Sequence, residues 1–135
     1  MTTSPYLAAA DRMLTSIIRG ARGAWPRACA WLLRHELEAA MDRYWARVCP
    51  EIGLTRAQRP KLLLLAHYAG PELGHRASYL WWALSRAGHH HSYELGITAA
   101  ELARLRTELL DIVTLLDHSE ASHAEAGLRP ADARR

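Results

Sequence analysis

A chain of 135 residues, half of them apolar and 23% charged, has the composition of one globular domain, which excludes a disordered or collagen-like protein. Folding at this size hides roughly two thirds of the surface the unfolded chain exposes, so a core can form without metal or disulfide staples. Apolar runs such as Leu62 to Ala66 fall far short of the roughly 18 residues a membrane-spanning helix needs, and no basic-then-apolar leader opens the chain. The expected location is the cytoplasm, with no membrane partner.

Helical signals recur along the whole sequence. Ser4-Pro5 supplies an N-cap and a proline at the first helical position, and Leu7, Ala10, Leu14, Ile17 and Ile18 follow at helical spacing until Gly20 and Gly23. After Trp25-Pro26 a long second helix is expected. One of its faces carries Cys29, Leu33, Leu37, Ala40, Met41, Tyr44, Trp45 and Val48; the remainder carries Arg34, His35, Glu38, Asp42, Arg43 and Arg47. It should stop before Pro50, because the residue preceding a proline is pushed out of helical geometry.

A turn through Gly53 leads to a third helix from about Thr55, with Leu62 to Leu65 inside it and Pro60 within its first turn or two or at its true start. The fourth is expected from about Pro71 to Ala87, through Leu73, Ala77, Leu80, Trp81 and Leu84, with Gly88 as its stop. A loop from His89 to Ile97 follows. Thr98 with Glu101 then forms a T-x-x-E capping box before Leu102, Leu105, Leu109, Ile112 and Leu116, the stripe of a fifth helix. No segment alternates with period two, so the expectation is an all-α, single-domain bundle of five helices over residues 1–118, followed by a polar tail, 119–135, that is poorly ordered.

Cys29 and Cys49, 20 positions apart, would lie about 30 Å from each other along one straight helix, so they read as reduced core thiols rather than a disulfide. His67 and His75, among apolar residues near helix ends, read as packed or capping. Of the adjacent Trp81 and Trp82, about 100° apart on a helix, one can enter the core while the other meets the surface or a partner, or both can be partly buried.

The net charge is +3, and 16 of the 17 basic residues are arginine. Arginine grips phosphate with a planar, two-pronged donor set, although a GC-rich genome yields the same bias without any function. The densest polar cluster is Ser85-Arg86-Ala87-Gly88-His89-His90-His91-Ser92-Tyr93-Glu94. An imidazole titrates near neutrality and an adjacent guanidinium can hold a phosphate oxygen. Together these are the minimum parts for cutting RNA without a metal: a base for the 2′-hydroxyl proton and a fixed cation for the phosphorane, the nucleophile being RNA's own 2′-oxygen.

The cluster resembles the motif of the HEPN family. Arg86, four intervening residues, His91, Ser92 and Tyr93 fit its R-x4-H-x-Y form, ahead of the last long helix. The stretch Arg34-His-Glu-Leu-Glu-Ala-Ala is similar to the Arg- and Glu-containing helix that precedes the motif in that family. The resemblance implies a five-helix HEPN-like bundle and a metal-independent, cofactor-free endoribonuclease that leaves 2′,3′-cyclic phosphate, with His91 catalytic and Arg86 the motif arginine. It further implies a homodimer whose two motifs share a cleft, a toxin of a toxin–antitoxin or phage-defence pair, and a nucleotidyltransferase-type antitoxin that adenylylates Tyr93. One position departs from the family's pattern. Ala87 follows the arginine where Asn, Asp or His is common, leaving His89 or His90 to orient the site.

Other readings of the same residues stay open. The loop can bind RNA or a protein partner without catalysis, can be a solvated turn, or can hold a metal through His89 and His91 with His75 or Glu94. No glycine-rich phosphate loop, C-x2-C pair or nucleophile motif is present, so nucleotide hydrolysis and acyl transfer have no support.

Overall fold

The computed structural model of the protein describes residues 4–15, 25–89 and 97–119. Its elements are α1 (Pro5–Thr15), α2 (Trp25–Val48), α3 (Pro50–Gly53), α4 (Gln58–Tyr68), α5 (Pro71–Gly88) and α6 (Ala99–His118), with no strand among the described residues. The expected positions Ile17, Ile18, Gly20 and Gly23 lie outside the described residues, as do His90, His91, Tyr93, Glu94 and the tail from 120 onward.

Local chemistry accounts for several helix ends. The Ser4 hydroxyl oxygen accepts from the Tyr6 amide at 3.2 Å ahead of Pro5, and the Thr98 hydroxyl oxygen accepts from the Glu101 amide at 3.1 Å, so both N-caps form as the sequence indicates. Helix α2 stops at Cys49, whose backbone turns extended (φ −156°) before Pro50.

Three expectations need correction. Among the described residues six helices form instead of five, because Pro50-Glu-Ile-Gly, read as a turn, closes into the single-turn α3. The next helix starts at Gln58 and not at Thr55, since Ala57 is extended (ψ 130°). Pro60 is thereby its third residue, where the missing N–H would have had no partner in any case. Finally, α5 includes Gly88 and is ended by His89 in extended backbone (φ −93°), with no left-handed glycine; the one described glycine with positive φ is Gly70, at the start of α5.

Helix α2 is the axis of the bundle and packs against α1, α5 and α6, while α4 packs on α5. Its expected apolar face is the buried one: Cys29, Leu33, Leu37, Ala40, Met41, Tyr44 and Trp45 meet Leu80 and Leu84 of α5 and Leu102, Leu109, Ile112 and Leu116 of α6. Ion pairs fix the relative directions. Arg106 of α6 grips Asp11 of α1, and at the other end Arg47 of α2 donates to the Leu116 carbonyl at 2.6 Å, so α6 runs parallel to α2. Arg76 of α5 forks onto Glu108 at 2.8 and 3.1 Å. The first turns of α5 and the last turns of α6 line one open groove, which makes α5 antiparallel to both α6 and α2. No helix among the described residues is long and apolar enough to cross a membrane.

Both cysteines are free, Cys29 buried and Cys49 half-buried, and Cys29 donates weakly to the Ala10 carbonyl, 3.9 Å away. Burial, with the Asp11 carboxylate adding to it, pushes the Cys29 thiol up to about 11. A group with its folded pKa raised contributes stability that is present below its unfolded value and lost as pH rises through the folded one. Stability should therefore fall between about pH 9 and 11, and Cys29→Ala should lessen that fall. Urea midpoints measured across this range check it, and in the native protein a thiol reagent should label Cys49 ahead of Cys29.

Candidate functional site

Arg86 lies in the last turn of α5 and is exposed. Its guanidinium carbon sits 5.5 Å from the centre of the Trp82 ring, one turn earlier, as a cation stacked on an aromatic face. The His89 amide donates to the Arg86 carbonyl oxygen at 3.2 Å, and His89 itself is exposed and extended. Ala87 turns the other way and packs against the core, so the position that departs from the HEPN pattern is occupied here by an apolar contact.

A polar cluster backs this turn. Trp81, partly buried, donates its indole N–H to Glu38 Oε1 at 3.1 Å and so ties α5 to α2. The same Glu38 oxygen is 3.5 Å from Arg34 Nε, and its other oxygen is 3.6 Å from His35 Nδ1. The His35 ring stacks on Tyr6 of α1 at 5.6 Å and meets the edge of Trp31 at 4.0 Å. Because α2 and α5 are antiparallel, Arg34 lies one turn before Glu38 on the same seam on which Ser85 lies one turn after Trp81. Arg34 Nε has the ion pair with Glu38 but no hydrogen bond, and His35 Nε2 and Ser85 Oγ are likewise buried without hydrogen-bond partners.

Sequence reasoning anticipated part of this arrangement. Of the two arrangements it left open for the adjacent tryptophans, the structure has Trp81 partly buried against the core and Trp82 52% exposed. It missed Ser85 as a buried hydroxyl and Glu38 as the acceptor for Trp81; an arginine, histidine and glutamate at i, i+1 and i+4 ahead of a paired tryptophan is the signal that could have found them.

The other histidines are placed elsewhere. His67 and His75 are exposed rather than packed or capping, because the buried side of α4 is taken by Lys61, Leu62 and Leu65 and that of α5 by Gly74 and Ala77. His75 and His89 are 14 positions apart on α5, about 20 Å at the rise of an α-helix, so His75 cannot share a metal with His89. Among the described residues no three His, Cys, Asp or Glu side chains come together in a metal-binding arrangement.

Chemically, the end of α5 offers an oriented guanidinium at the surface, an aromatic face beneath it and a histidine at the start of the following segment. Such a set can hold a phosphodiester and stack against a base. No family model, curated protein or solved structure matches the chain.

Proposed function

We propose that the protein is a HEPN-like, metal-independent endoribonuclease, with Arg86 as phosphate anchor and His91 as the acid–base group. The observation that carries this reading is the exposure of Arg86 in the last turn of α5, held over Trp82, five positions ahead of His91 in an R-x4-H-x-Y sequence. In the proposed step His91 takes the 2′-hydroxyl proton as the 2′-oxygen attacks phosphorus. The P–O5′ bond breaks, the 5′-oxygen receives a proton from solvent, and a 2′,3′-cyclic phosphate remains on the upstream fragment. Arg86 offsets the charge that builds on the non-bridging oxygens.

A homodimer that brings two motifs to one cleft, a role as the toxin of a toxin–antitoxin or phage-defence pair, and silencing by adenylylation of Tyr93 all belong to this reading. An adenylyl phosphate there would add negative charge and bulk close in sequence to Arg86 and His91. Incubation with total RNA and with tRNA in EDTA is the test. The expected result is fragments ending in 2′,3′-cyclic phosphate; intact RNA, from a folded protein whose Tyr93 has its unmodified mass, would overturn the reading.

One observation favours a second reading. With Ala87 packed against the core, the position directly after Arg86 offers no polar side chain to orient a catalytic histidine, which suits a helical module that binds RNA without cutting it. Saturable, salt-dependent binding of intact RNA is its signature.

A further inference from the structure

Helix α5 and its C-cap residue carry a stripe of exposed side chains of which the cleavage step uses Arg86 alone. His75, Tyr79, Trp82, Arg86 and His89 recur at steps of four, three, four and three, and all five are exposed. Helical spacing sets the first four in one line along the outer face of the helix, and His89 follows as its C-cap residue. Tyr79 is 65% and Trp82 52% exposed, large apolar area left in water, and their ring centres are 6.3 Å apart. The Trp82 ring is in turn capped by the Arg86 guanidinium. After Glu72 the helix has no acidic residue, so the whole stripe from His75 to His89 is neutral or cationic.

We infer that this stripe is a stacking track for single-stranded RNA, Tyr79 and Trp82 each taking a base while Arg86 holds a phosphate. Aromatic faces interleaved with cations bind single strands irrespective of sequence, since every base has a π-face and every linkage a charge. A 4-3-4-3 stripe can also be the seam of a helix pair between two copies of the chain. Here three of the five positions are Arg or His, and an antiparallel pairing would set Arg86 and His89 of one copy against His75 of the other. A polyanion complements the fixed Arg86 charge, whereas the same stripe on a second copy has no carboxylate to pair with it. The choice of RNA rests on the proposed endoribonuclease, but the binding it describes requires no cleavage.

The test uses fluorescein-labelled 12-nucleotide 2′-O-methyl RNA, single-stranded and as a duplex. These probes lack the free 2′-hydroxyl and cannot be cut, so binding is read apart from catalysis. In anisotropy titrations the single strand should bind more tightly than the duplex. Tyr79→Ala and Trp82→Ala should each weaken it about tenfold, with Trp82→Phe recovering most of the loss. Leu63→Ala, at a 76% exposed position of α4, should have no effect. Equal affinity in the alanine variants overturns the inference and leaves the cleavage reading untouched. So does light scattering that shows the wild type as a dimer and Trp82→Ala as a monomer, which would assign the stripe to a second copy. Stripe-dependent binding in a protein that never cuts RNA would uphold the track and overturn the catalytic reading.

Discussion

Gly74→Ala should destabilise the protein by about 3 kcal/mol, although alanine is the better helix former by about 1 kcal/mol. Gly74 is buried where α5 crosses α4. A Cβ there would lie 2.3 Å from Ala66 Cα, 2.6 Å from Ala66 N and 2.5 Å from Ala66 Cβ. Two of those three atoms are backbone, so no side chain can swing aside, and the helices would have to separate by about 1 Å to reach ordinary contact. Separation would loosen Leu62 and Leu65 of α4 from the common core, and close-packed interiors yield poorly to such shifts. Gly53→Ala is the matched control: its nearest neighbour would be Trp45 Cβ at 3.5 Å, an ordinary contact. Urea denaturation of both variants checks the comparison, and a Gly74→Ala protein as stable as the wild type would disprove the close crossing.

That crossing also marks the boundary of what the sequence discloses. The face of α2 from Cys29 to Trp45 and the stripe of α6 were legible because a period of 3.6 sorts residues into inside and outside before any partner is known. The capping box at Thr98 was legible because its geometry is local to four residues. Glu36 and Lys61 are 3% and 4% exposed, and neither could be anticipated, since their burial depends on which helix covers the edge of the stripe. Lys61 reaches Asp42 across the α2–α4 boundary at 3.5 Å, and Glu36 has Arg43 at 3.9 Å. The single turn of α3 is shorter than any periodicity can register. In the candidate site the same division holds. Arg86 was legible as a motif residue, whereas the Arg34, His35 and Glu38 spacing ahead of the paired tryptophans only hints at the Glu38–Trp81 bond, and the antiparallel run of α2 and α5 is what makes it and Ser85 neighbours.

The largest functional effect should come from His91→Ala, which should lower RNA cleavage by about a thousandfold, the scale of losing a positioned acid–base group. It should also abolish the fall in rate at acid pH, because an imidazole base loses its acceptor nitrogen on protonation. Arg86→Ala should cost about a hundredfold, the scale of removing one donor to a developing oxyanion. Arg86→Lys should recover only part of it: an ammonium keeps the charge but has neither the two-pronged donor set nor the flat face that rests on Trp82. Because Arg86 is exposed, its two substitutions should leave the thermal midpoint nearly unchanged, and the midpoint of His91→Ala is measured beside them to separate lost chemistry from lost structure. The pH profile discriminates further. A residue that only shapes the loop would lower the rate at every pH in proportion, whereas loss of the acid limb in His91→Ala alone, with the limb retained in Arg86→Ala, assigns the proton to His91. Cleavage that persists in both variants would remove the two roles together and leave the end of α5 as a binding surface.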